Sequence, residues 1–86
     1  MFVILTYDVS QKRVSKVMKI CRRYLHHVQN SVFEGMMTES MLGKLKRDLD
    51  GAFVPSEDSI CIYEIQNIKY TRKESVGIQR REDNIF

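Results

Sequence analysis

Apolar and polar positions along this chain switch between two periods, and the switches mark out its elements. Residues Phe2 to Tyr7 form an unbroken apolar, β-branched run that stops at Asp8, the pattern of a central strand covered on at least one side. Ser10 stands where a helix N-cap would, with a hydroxyl for an unpaired backbone N–H. Beyond it Val14, Val17, Met18, Cys21, Leu25 and Val28 recur at three- and four-residue spacing, the buried stripe of an amphipathic helix. Residues 28–38, VQNSVFEGMMT, are β-prone with a break near Asn30–Ser31 or Glu34–Gly35, which predicts one bent strand or a tight hairpin. Thr38 is placed to cap a second helix whose apolar side is Met41, Leu42, Leu45 and Leu49, with Gly51 closing it. Val54 to Asp58 is turn chemistry. SICIYEI then reads as a strand apolar on both faces, Tyr70 to Ile78 as a weaker one, and residues 79–86 as a polar tail.

The order strand, helix, one or two strands, helix, strand, extra strand predicts an α+β fold. It is a ferredoxin-like β-α-β-β-α-β sandwich with an extra C-terminal strand, occupying residues 1–78. Two helices on one side of the sheet would leave the other bare although the strands are apolar on both. A homodimer stacking sheet on sheet is therefore expected.

Composition narrows the class. A chain of 86 residues holds one domain, and one this short buries only about 60% of its unfolded surface, which favours oligomerisation. Its 43% hydrophobic and 29% charged content belongs to a folded protein, not a disordered tail. The net charge of +3 admits a polyanion partner without demanding one. Cys21 and Cys61 lack any C-x-x-C spacing, so a reducing cytoplasm is expected, with both packing as small hydrophobes. The opening apolar run is too short to span a bilayer and lacks signal-peptide features, so no membrane association is expected.

Asp8 follows an apolar strand directly, so its carboxylate should emerge at a sheet end on a rigid backbone. Magnesium takes oxygen ligands, keeps several waters and needs only one or two protein carboxylates. Two copies of Asp8 near a two-fold axis would supply them, with manganese as a substitute ion. The competing reading makes Asp8 a cap for the following turn. No His or Lys is placed as an obvious general base, so a water activated by the metal is the expected nucleophile. Lys12, Lys16, Lys19 and Arg23 recur on the helical period, with Arg13 and Arg22 beside them. This is either a sequence-independent phosphate surface or a solvated helix face. His26 and His27 find no cysteines at matching spacing, and a zinc site is not expected.

Three blocks carry a resemblance: ILTYDVSQKRVSKV, HHVQNSVFEGMMTE and EDSICIYEI. In order and spacing they resemble the CRISPR-associated Cas-two family, with its strand ending Tyr-Asp-(Ile/Val), its V-Q-x-S-V-F-E segment and its D-S-(Ile/Val)-x-(Ile/Val)-Y strand. The likeness implies a ferredoxin-like homodimer that works with the CRISPR integrase subunit (Cas-one) in spacer acquisition. It also implies a magnesium-dependent endonuclease acting on single-stranded RNA or duplex DNA, with Asp8 as the metal ligand. Tyr7 and Phe33 would assist substrate contact, although aromatic residues in strands mostly form core. Ser31 would meet water or phosphate, or else satisfy the backbone at a bend. Where the family carries Arg before Val-Gln this chain has His27, which would weaken a phosphate contact near neutral pH. A non-catalytic scaffold bridging integrase dimers on duplex DNA is the alternative. A small-ligand sensor or an RNA-cleaving toxin would share the fold, but the chain offers no Gly-rich loop for a sensor pocket.

Overall fold

The structure, a computed structural model, describes residues 1–66 together with residues 74 and 76. Within them run β1 (Phe2–Asp8), α1 (Val14–Arg22), β2 (His26–Gln29), β3 (Val32–Met36), α2 (Glu39–Asp50) and β4 (Ser59–Ile65). The strands form one antiparallel sheet in the order β2-β3-β1-β4. This is the ferredoxin-like α+β arrangement that the hydrophobic pattern predicts. The strand expected over 70–78 and the tail expected over 79–86 lie outside the described residues.

Strand alternation assigns the faces. Val3, Leu5 and Tyr7 of β1 are buried, and register sets Leu5 between Phe33 and Ile62. Val17, Ile20 and Cys21 of α1 and Leu42, Leu45 and Leu49 of α2 close the core over that face. Phe33, Leu5 and Leu45 are completely buried, each contributing about 1.5–3 kcal/mol relative to exposure. The opposite face carries Phe2, Ile4, Val32, Met36 and Tyr63, half-buried or exposed, with Met36 at 60% and Tyr63 at 56%. Gly35 in β3 answers a close approach, since a Cβ there would lie 3.3 Å from Leu25 Cδ2.

Three local details depart from the sequence pattern or resolve it. Ser10 does not cap α1. The helix begins at Val14 after a turn in which the Arg13 N–H donates to the Ser10 carbonyl at 2.8 Å. It also stops sooner, at Arg22, where Arg23 and Tyr24 donate to Ile20 and Cys21 in tightened i→i−3 bonds. Leu25 stays in the core from the following loop, and Val28 belongs to β2. The 28–38 region is a hairpin that turns at Asn30–Ser31, where Asn30 takes φ 41°, a left-handed conformation Asn tolerates well. The second helix starts as expected, with Thr38 Oγ1 accepting from the Met41 N–H at 3.1 Å. Met41, placed by the pattern on the apolar side, is instead exposed.

Candidate functional site

At the end of β1, Tyr7 and Asp8 lie opposite Ile60 and Ser59 of β4. The Tyr7 N–H donates to the Ser31 carbonyl at 3.2 Å, which draws the β2–β3 turn alongside. Together these segments border a cleft of about 340 Å³ lined by Tyr7, Asp8, Val9, Val14, Met18, Asn30 and Ser31. Asp8 is exposed, and Ser31 is half-buried beside it. Tyr7 is mostly buried, its ring stacked on Phe33 with centroids 6.1 Å apart, and reaches the cleft from the core side.

The turn after Asp8 is held from elsewhere. Asp58 accepts hydrogen bonds from the Ser10 N–H at 2.8 Å, Arg13 Nε at 2.5 Å, Arg13 Nη2 at 3.0 Å and the Val54 N–H at 2.8 Å. A carboxylate offers about four lone-pair sites, and these four donors fill them. The Arg13 guanidinium, helped by the Val54 and Ser10 amides, holds this buried carboxyl well below the usual carboxylate range against the opposing effect of burial. Asp58 thus performs the capping task that the competing sequence reading gave to Asp8. Among the described residues no hydrogen bond engages the Asp8 carboxylate.

The other site candidates separate into two groups. Lys12, Lys16, Lys19, Arg22 and Arg23 are exposed on and around α1. Arg23 lies 3.3 Å from Asp48, which also accepts from the Tyr24 hydroxyl at 2.6 Å, and that bond raises the tyrosine pKa. Arg13 leaves this stripe. Its side chain is 18% exposed and is bound to Asp58 and, at 2.7 Å, to Glu57, so its charge is engaged within the fold. Phe33 is wholly buried and has no surface to offer a substrate. His27 lies directly opposite Phe33 in the ladder, on the covered face. It is 1% exposed, stacked on Phe33 at 4.5 Å, with Nε2 bonded to the Asn30 carbonyl at 2.5 Å. Its expected place on a nucleic-acid surface is therefore replaced by a place in the core. Cys21 is inert, since burial pushes its thiol up to about 12. Cys61, expected to pack, is exposed.

The oxygen donors around the cleft suit a hard cation such as magnesium. Among the described residues no three Asp, Glu, His or Cys side chains gather as a metal group, so one chain brings the single carboxylate of Asp8 and the neighbouring Ser31 and Asn30. The sequence reading placed Asn30 at a candidate break and Asp58 in a turn, but it missed that Asn30 lines the cleft and that Asp58 pairs with Arg13. The Arg13–Asp58 pair spans 45 positions and leaves no periodic trace. The Asn-Ser pair between two β-prone runs was the available signal for the turn.

A ferredoxin-like sheet with an acidic strand end beside a hairpin turn defines a fold class shared by many proteins. Comparison narrows it: residues 1–73 match the family model for CRISPR associated protein Cas2, and the chain belongs to that family. It is 39% identical over 82 residues to the CRISPR-associated endoribonuclease Cas2 of Dictyoglomus turgidum, covering 95% of this chain and 94% of that one. The Thermotoga maritima protein of the same name is 41% identical over 86 residues, covering 100% and 99%. A solved structure described as a crystal structure of cas2 superposes with a TM-score of 0.83 at 35% identity, covering 100% of this chain and 97% of that one.

Proposed function

We propose that this chain is a CRISPR-associated endonuclease that cleaves phosphodiester bonds at the Asp8 cleft, acting as a homodimer with magnesium held by Asp8 of each protomer. The observation that carries this reading is the contrast at the end of β1. Asp8 is exposed and borders a cleft with Ser31, and among the described residues no hydrogen bond engages its carboxylate, while Asp58 fixes the adjoining turn. Relatives named endoribonucleases support the reaction class. The apolar sheet face on which Met36 and Tyr63 are exposed supports the dimer.

Magnesium, when bound, supplies electrostatic stabilisation of the phosphoryl charge and activation of water, and manganese would serve in its place. Asp8 holds the ion at the rigid end of β1. Ser31 offers a hydroxyl to water or phosphate, and Tyr7 forms the wall against which the substrate rests. Lys12, Lys16 and Lys19 attract the sugar-phosphate backbone of single-stranded RNA or duplex DNA without reading its sequence. The protein would work in the prokaryotic cytoplasm with the Cas-one integrase subunit. No helix among the described residues is long and apolar enough to cross a membrane.

The exposed basic face of α1 supports a second reading, in which the dimer is a non-catalytic bridge that spaces integrase dimers on duplex DNA. One experiment separates the two. Labelled single-stranded RNA and duplex DNA are incubated with wild type and Asp8→Asn, each with magnesium or chelator. Cleavage that requires both Asp8 and magnesium is expected. Absence of cleavage, or cleavage indifferent to Asp8, would leave the bridge as the account of the protein.

A further inference from the structure

The chain segment that leaves Asp8 is bound at both ends by neighbours in the sequence. Asp8 itself pairs with Ser59 across the β1–β4 ladder. Two residues later, the Ser10 N–H is held by Asp58, the residue just before Ser59. Thus one two-residue unit, Asp58–Ser59, fixes the backbone on both sides of the Asp8–Val9 link. Arg13 completes the arrangement by binding both Asp58 oxygens through Nε and Nη2, and the Arg13 N–H closes the intervening turn on the Ser10 carbonyl. The Val54 N–H binds the same carboxylate, and Asp58 and Glu57 donate back to the Val54 carbonyl at 2.8 and 2.9 Å, so the anchoring turn is itself closed.

We propose that Asp58, clamped by Arg13, is a positioning residue for Asp8. It sets the path of residues 8–13 so that the Asp8 carboxylate stays at the cleft mouth beside Ser31. The inference rests on the metal-nuclease reading for its purpose and on the hydrogen-bond geometry for its substance. Asp58 touches neither substrate nor metal in this scheme, since its lone pairs are occupied. Its effect passes through the backbone of Ser10. Groups that orient a ligand without binding the metal are commonly worth about 10- to 100-fold in metal affinity or activity. A displacement of roughly 1 Å at a reacting centre has a similar cost.

The test uses the full-length protein as wild type, Arg13→Gln, Arg13→Lys and Asp8→Asn, with Asp58→Asn as a second way to loosen the clasp while keeping one acceptor oxygen. Three quantities are read: amide exchange at Asp8, Val9 and Ser10 in the metal-free protein, Mn²⁺ affinity from water relaxation, and kcat and KM for nucleic-acid cleavage. In folded Arg13→Gln, Ser10 should exchange roughly 10-fold faster, and Mn²⁺ should bind roughly 10-fold more weakly. The fall in turnover should appear in kcat, with KM changed by less than about 2-fold. Arg13→Lys should recover part of each, because an ammonium can still reach Asp58 but not as a two-pronged donor. Asp8→Asn should lose Mn²⁺ binding and cleavage while Ser10 exchange stays at the wild-type rate.

Unchanged Ser10 exchange and unchanged Mn²⁺ affinity in a folded Arg13→Gln or Asp58→Asn would overturn the proposal. So would a rise in KM at constant kcat, which would make Arg13 a direct phosphate ligand. A wild type that neither binds Mn²⁺ nor cleaves would remove the nuclease reading instead. The clasp would then still be judged by the amide exchange of residues 8–10, which needs neither metal nor substrate.

Discussion

Asp8 and Asp58 stand at one end of the sheet, the first closing β1 and the second preceding the β4 residue that pairs with it. Their surroundings are opposite. Asp58 is buried, receives four hydrogen bonds and has Arg13 against both oxygens. Asp8 is exposed and borders a cleft. A carboxylate whose lone pairs are all filled by the fold has little left for a ligand. One that the fold leaves unused at a rigid position is where ligand chemistry is available. The contrast separates a carboxylate engaged by the fold from one that the described residues leave accessible.

Exchanging the effects of the two carboxylates is the most direct way to break that comparison. Asp8→Asn should lower magnesium-dependent cleavage roughly 100-fold or more, and its thermal stability should stay within about 0.5 kcal/mol, as for other surface substitutions. A marked loss of Tm in that variant would show Asp8 to be structural after all. Asp58→Ala should do the reverse first: it strips Arg13 of its buried partner and Ser10 and Val54 of their acceptor, so calorimetry should record a clear fall in Tm. The same Tm as wild type would refute its structural role.

Acid sharpens the comparison further. Asp58 is held below its unfolded pKa, so its contribution to stability is complete above about pH 4 and is lost as pH falls through the folded value. Arg13→Gln removes the main cause of the depression, so circular dichroism should place its acid-unfolding midpoint at higher pH than wild type. An unmoved midpoint would mean that the Ser10 and Val54 amides suffice. The smallest effect belongs to Glu57, which also meets Arg13 but with a side chain 57% exposed. Glu57→Gln should change stability by less than about 1 kcal/mol, and a larger loss in denaturant titration would shift weight from Asp58 to its neighbour.

The fold was legible where period and cap agreed. Phe2–Asp8 and Ser59–Ile65 could be read from apolar runs, and α2 from Thr38, its Leu positions and Gly51. The first helix was misjudged at both ends. Ser10 looks like a cap but gives its N–H to Asp58, and Leu25 continues the helical spacing although it is buried from a loop. The exposed position of Asp8 was legible because a strand end is a local event. The burial of Phe33 was legible too, since aromatic strand residues mostly form core; that of His27 was not, because strands apolar on both faces give no clue to which parity is covered, and the register His27↔Phe33 puts both inside. Arg13 was hidden among similar basic residues. Only the approach of Asp58 from the far side of the chain distinguishes it from Lys12.

That approach also dictates when the cleft can exist. The ties on the segment after Asp8 close loops of 48 positions for Ser10 and 45 for Arg13, and the entropy of loop closure must be met before such contacts form. Asp8 leaves the ribosome ahead of Asp58, and its surroundings cannot settle until Asp58 has emerged as well. The Asp8 end of the sheet thereby precedes Asp58 in sequence and waits for it in structure, and a nascent chain halted before β4 would carry the aspartate without the turn that fixes its surroundings.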